Sequence, residues 1–126
     1  MGCCESDLSE RTWENTPALT MEGVRKRGKI LKVIDGDTVD LVLQGEKYRR
    51  RCRLAGIDAP DNDRKEAKKS ATEFLQSLVL NSTVTVACGK WDKYGRLLVT
   101  LYNPQNVNQT MIEHGHAVPY DGGKKQ

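Results

Sequence analysis

Apolar and polar residues fall into clear periods only from about Gly28 onward. KILKVI (29–34) and TVDLVLQG (38–45) read as strands joined by a Gly-containing turn, and Gly45 marks a hairpin into a third run, EKYRRRCRLAGI (46–57). Along that run Arg49, Arg51 and Arg53 alternate with Tyr48, Arg50, Cys52 and Leu54. Successive side chains on a strand point to opposite faces, so one face is strongly cationic. DAPDNDR (58–64) is a turn restrained by Pro60. KEAKKSATEFLQSLVL (65–80) sets Ala67, Ala71, Phe74, Leu75 and Leu78 at helical spacing and predicts an amphipathic helix. TVTVACGKW (83–91) and RLLVTLYN (96–103) predict two further strands across a DKYG turn. NVNQTMIEHG (106–115) predicts a short second helix stopped by Gly115.

Three strands, a helix, two strands and a closing helix is the element order of an OB-type barrel. The expected fold class is α+β, mainly β: a five-stranded OB-fold barrel with flanking helices. At 126 residues, against a prior of roughly 150 per domain, the chain holds one core. The reading divides it into a flexible N-terminal tail (1–24), the barrel domain (25–121) and a disordered C-terminal tail (122–126).

Composition narrows the function classes. With 37% hydrophobic residues and no run near the roughly 20 apolar residues that cross a bilayer, a spanning helix is excluded. No apolar h-region follows the N-terminus, so the expected location is intracellular, without export by a signal peptide. The net charge of +3 hides an asymmetry. Glu5, Asp7, Glu10, Glu14 and Glu22 face only Arg11 in the tail, whereas ten of the 20 basic residues lie between Arg25 and Arg53. Such a body suits a polyanionic partner, although a solvated face reads the same way. Cys52 and Cys88 read as small core residues, and no pair of cysteines has zinc spacing. His114 and His116 lack a partner cluster and read as residues capping the second helix.

Acidic residues at strand ends carry the chemistry. Asp35 and Asp37 lie in I-D-G-D-T-V, Asp58 follows the third strand, and Asp61 and Asp63 lie in the turn after Pro60. Carboxylates gathered beside a cationic strand need compensation, and a hard divalent cation supplies it through oxygen ligands. Taken singly, D-G-D is also an ordinary turn.

Read together, four segments resemble the staphylococcal nuclease (thermonuclease) family: I-D-G-D-T-V at 34–39, R-L-x-G-I-D-A-P at 53–60, D-K-Y-G-R at 92–96 and V-N-x-x-M-I-x-x-G at 107–115. They occur in the family's order and cover about residues 27–120. The resemblance implies calcium-dependent hydrolysis of phosphodiester bonds in DNA and RNA, with low sequence specificity. It implies that Asp37, Asp58 and the carbonyl of Ala59 ligate one Ca²⁺, with Asp35 acting through water. It makes Arg53 and Arg96 the catalytic arginines, puts Asp61 at the general base, and sets Lys93, Tyr94 and Tyr120 around the nucleotide. Arg49 and Arg51 join them as nucleic-acid contacts on the cationic face, where a single strand is the expected partner.

The chain departs from that pattern in three ways. Asp61 stands where the family carries a glutamate, one methylene longer, and a general base depends on its reach to the water. The loop between Asp61 and the helix is short, and the family's long C-terminal helix is missing from the expected barrel. These departures keep a second reading open: a catalytically impaired OB module that binds single-stranded nucleic acid. A membrane-recruited protein adaptor is a third. At the N-terminus, Met1-Gly2-Cys3-Cys4-Glu5-Ser6 fits the pattern for N-myristoylation of Gly2, with Cys3 and Cys4 open to palmitoylation. In a eukaryotic cell this would tether the domain to the cytosolic face of a membrane.

Overall fold

A computed structural model describes residues 8–16 and 20–120. Its elements in chain order are β1 (Arg25–Asp35), β2 (Thr38–Leu43), β3 (Arg50–Leu54), β4 (Ile57–Asp58), α1 (Lys65–Val79), β5 (Thr83–Trp91), β6 (Leu97–Tyr102), α2 (Val107–Glu113) and β7 (Val118–Pro119). Five strands close a barrel in the order β1-β2-β3-β6-β5. All neighbours are antiparallel except β3 and β6, which run parallel. The barrel read from the pattern is the barrel observed.

Closure depends on β1. Its first half pairs with β5 and its second half with β2, and Gly28 and Lys29 belong to both ladders. A Cβ at Gly28 would lie 3.0 Å from the Val86 side chain and 3.2 Å from the Val42 carbonyl, so any larger residue at this corner would have to push its neighbours aside. Inside, Ile30, Val39, Leu41, Leu43, Cys52, Leu54, Val84, Val86, Leu97, Val99 and Leu101 are fully buried and form one cluster. Ala71, Leu75 and Val79, on one face of α1, close the barrel against that cluster, and Asn81 at φ 63° ends the helix. Asn106 caps α2 by accepting the Gln109 N–H at 3.0 Å, and Gly115 at φ 76° follows it as expected.

Strand boundaries differ from the expected ones at two places. β1 starts at Arg25, because its pairing with β5 holds Arg25–Arg27 although they carry no apolar alternation. The third run is not one strand over 46–57. Glu46 and Arg50 form an ion pair at 2.8 Å across the loop before β3, and Gly56 at φ 78° turns the chain between β3 and β4.

Asp40 is the informative exception to the apolar pattern. It points to the outer face of β2 yet is 8% exposed, because Arg51 on β3 covers it with a two-pronged ion pair at 2.8 and 3.1 Å. The Arg51 guanidinium holds its carboxyl below the ordinary value of 3.8. A carboxyl lowered by folding stabilises the fold above its unfolded pKa and loses that contribution as pH falls through the folded one. Replacing Asp40 with Asn should therefore cost about 1 kcal/mol at pH 7, the solvent-exposed partner screening the pair. The difference between variant and wild type should shrink as pH falls below 3.8 and through the lower folded pKa; urea midpoints at pH 7 and in acid check this.

Candidate active site

The β1–β2 turn, the end of β3 and the β4 segment meet at one end of the barrel. Asp37 is buried there, and its carboxylate ties the three together. Oδ1 accepts the Thr38 hydroxyl at 3.0 Å; Oδ2 accepts the Ala59 N–H at 3.0 Å and Arg53 Nη2 at 3.3 Å. The same Arg53 nitrogen donates to Asp58 Oδ1 at 3.2 Å. Asp35 Oδ1 accepts the Asp37 N–H at 3.2 Å. Gly36 makes this approach feasible: a Cβ there would lie 2.8 Å from the Cβ atoms of both Ala59 and Ala71, with no space for one. The D-G-D segment is thus more than a turn.

Two aspartates share one guanidinium and a third, Asp35, stands beside Asp37, so negative charge is in excess. Burial, and behind it the hydrogen bond and charge of Asp37, push the Asp35 carboxyl up to about 6. Such an oxygen-only, anionic donor set suits a hard divalent cation. Among the described residues no three His, Cys, Asp or Glu side chains form a ready metal cage; Arg53 sits between two of the aspartates instead.

Beside the cluster opens a groove of about 640 Å³, lined by Asp58, Ala59 and Asp61 on one side and by His116, Val118 and Tyr120 on the other. The short pairing of β4 with β7 brings Tyr120 to within 5.3 Å of the Arg53 guanidinium, ring centroid to Cζ. Asp61 is exposed on the rim, where its carboxyl interacts with Asp63 and raises the Asp63 pKa. His114 and His116 both pack on the Phe74 ring, at 4.9 and 4.6 Å.

The hairpin between β5 and β6 carries the remaining residues. Asp92 Oδ1 accepts the N–H groups of Tyr94 and Arg96 at 2.9 and 2.8 Å, and its Oδ2 accepts Arg96 Nε at 2.7 Å. Burial pulls the Asp92 pKa upward. The backbone N–H groups of Arg96 and Tyr94 and the Arg96 guanidinium outweigh it, so the carboxyl lies below its ordinary range. Lys93 and Arg96 flank the exposed Tyr94 ring at 5.3 and 5.4 Å.

The expected site residues therefore form groups. Asp35, Asp37, Arg53, Asp58, Ala59 and Tyr120 come together, Asp61 stands on the adjoining rim, and Lys93, Tyr94 and Arg96 form a second cluster on the hairpin. Arg51 is tied to Asp40, and Arg49 is exposed just before β3. Gly2, Cys3 and Cys4 lie outside the described residues.

Three residues with structural roles at the site were not singled out: Thr38, Asp92 and Asn108. The D-x-x-x-R spacing within DKYGR was a visible signal for Asp92. Asn108 sits in a recognised segment, but its partners are backbone groups that no local pattern reveals. It is 4% exposed, donates to the carbonyls of Ala55 and Val99 at 2.9 and 3.0 Å, and accepts the Leu101 N–H at 3.1 Å. It clamps the β3–β4 turn that positions Asp58. Asn108→Ala leaves the Ala55 carbonyl and Leu101 N–H without these bonds and should cost about 2–3 kcal/mol, measurable by urea denaturation.

The site thus lies at the rim of a closed, OB-type five-stranded barrel, where carboxylates and an arginine gather beside a groove. The profile described as staphylococcal nuclease homologue matches residues 51–126, and the chain belongs to that family. A protein of Escherichia coli O157:H7 named "Uncharacterized endonuclease" is 38% identical over 96 residues, covering 75% of this chain and 61% of that protein. Protein ParB of Escherichia coli is 35% identical over 104 residues, covering 75% and 57%. A micrococcal nuclease of Shigella flexneri is 32% identical over 104 residues, covering 75% and 58%. The chain thus spans about three fifths of the length of these relatives.

Proposed function

We propose that this protein is a nuclease that hydrolyses phosphodiester bonds of DNA and RNA, preferring single strands and depending on one Ca²⁺. The observation that carries the reading is the convergence of Asp35, Asp37, Asp58 and Arg53 beside the groove. The names of the endonuclease and micrococcal nuclease relatives support it.

Asp37, Asp58 and the Ala59 carbonyl would hold the cation, with Asp35 acting through water. When bound, it supplies positive charge to the phosphate oxygens and lowers the pKa of water. Arg53 and Arg96 supply guanidinium forks, which suit the charge that builds on phosphorus oxygens because they stay protonated and bind oxygen pairs. A water oxygen would bond to phosphorus with its proton passing to the Asp61 carboxylate, and the P–O bond to the leaving oxygen would break as that oxygen takes a proton from a solvent water. Lys93 would meet a flanking phosphate, and Tyr94 and Tyr120 present ring faces on which bases stack.

A second reading, a nucleic-acid-binding module without turnover, is favoured by one observation. The shorter Asp61 carboxyl is engaged with Asp63 at the rim. Cleavage of single-stranded DNA in Ca²⁺, Mg²⁺ and EGTA separates the two. The nuclease reading expects Ca²⁺-dependent cleavage that Arg96→Ala lowers by at least 10²-fold, the size of one lost transition-state donor. Silence in wild type with cleavage restored by Asp61→Glu would establish the binding module.

The N-terminal pattern carries a proposal of its own: Gly2 is myristoylated and Cys3 and Cys4 palmitoylated, which holds the domain at a cytosolic membrane face. One acyl chain binds marginally and two bind stably. In a eukaryotic cell, Gly2→Ala should move the protein from the membrane to the soluble fraction and abolish incorporation of a myristate analogue.

A further inference from the structure

The outer face of the β1–β2–β3 sheet carries a second ordered row of charge beside the carboxylate cluster. Lys32 stands opposite Asp40, and Asp40 opposite Arg51. Two residues along β3, Asp35, Thr38 and Arg53 stand in the same relation. Same-face positions on a strand are about 6.8 Å apart. The parallel register pairs Cys52 with Leu97 and Arg53 with Leu98, so the chain at Arg96 comes level with Arg51. Arg51 therefore shares the face of Arg53 and the height of Arg96.

The Arg51 guanidinium is positioned rather than loose. Nε and Nη2 donate to the two Asp40 oxygens at 2.8 and 3.1 Å, a geometry that fixes the plane of the fork. The pairing leaves Nη1 out, and the side chain is still 53% exposed against 8% for Asp40. Arg49 and Lys32 also act on Asp40, so three cations surround one carboxylate. The row is net positive and sits about one phosphate spacing from Arg53. A fork held by a carboxylate, with one edge open to solvent, is prepared for a second anion at little cost in side-chain ordering.

We propose that Arg51, held by Asp40 and flanked by Lys32, is the subsite for the phosphate next to the scissile one on a nucleic-acid strand. The proposal rests on the nuclease reading for the word scissile, whereas the binding it describes does not need turnover. A purely structural Arg51 would neutralise Asp40 and do nothing else. Arg51→Ala strands the buried Asp40, so the double variant Asp40→Ala/Arg51→Ala, which leaves no charge behind, is tested with it.

Binding of a labelled 12-nucleotide single-stranded DNA, followed by fluorescence anisotropy in EGTA over a range of salt, reads the contact directly. Each phosphate contact on a single strand contributes about 0.7 to the slope of log K against log salt. Arg51→Ala and the double variant should each lower the slope by about that amount and raise Kd about tenfold, while Arg51→Lys keeps the slope. With Ca²⁺, the ratio of kcat/KM on the 12-mer to kcat/KM on a mononucleotide p-nitrophenyl ester should fall about tenfold in the double variant. A double variant that binds with the wild-type slope overturns the subsite, as does an equal loss on both substrates. A wild type that hydrolyses neither substrate, yet loses slope with Arg51→Ala, overturns the nuclease reading and leaves the subsite standing.

Discussion

The carboxylate of Asp37 is the interaction on which the rest of the site depends. It gathers a hydroxyl from its own strand, a backbone N–H from the segment after β4 and a guanidinium from β3. A buried carboxylate is costly unless its oxygens are met by donors, and here each oxygen is met. Gly36 and Ala59 lack the bulk that would push these segments apart, so small side chains and one strong acceptor together define the geometry. Asp58 and Arg53 are placed directly by this junction. Asp58 lies one residue before the N–H that Asp37 accepts, and Arg53 spans from one aspartate to the other.

Much of this arrangement is written in residue order, and the parts that are not share a cause. Strands β5 and β6 alternate fully buried with more exposed residues along most of their length, because one face of each meets the core, whereas β2 is covered on both faces. The first three residues of β1 are Arg-Lys-Arg, whose strand character comes only from a partner more than fifty residues away. β4 and β7 are two residues each, too short for any period, and exist because Asn108 and the Gly56 turn hold the chain where they can pair. Asp35, Asp37, Arg53 and Asp58 were legible because they lie in segments with a family order. Asp92 is marked by the spacing to Arg96 that its ion pair requires, whereas Asn108 acts on backbone N–H and carbonyl groups, which every residue carries and no sequence pattern advertises.

Charge on the barrel is sorted rather than mixed. Asp35, Asp37, Asp58, Asp61 and Asp63 collect at and beside the groove, and cations line the adjoining outer face and the β5–β6 hairpin. Such sorting raises the local potential of each region without a large net charge, which stays at +3. Asp40 and Asp92, like Glu46 beside Arg50, are acidic groups within a basic region. Each holds an arginine, Arg51, Arg96 and Arg50 respectively, through short hydrogen bonds. The acidic residues of the cationic face thus serve to aim the basic ones.

The parallel pairing of β3 with β6 has a consequence for the order in which the molecule comes to life. Arg53 and the aspartates are made early in the chain, but the hairpin that carries Arg96 docks beside β3 only through β6, whose residues lie some forty-five positions further on. Contacts this distant in sequence form late, because loop closure must precede them. A nascent chain on the ribosome therefore carries the carboxylates and one arginine before the second is even synthesised.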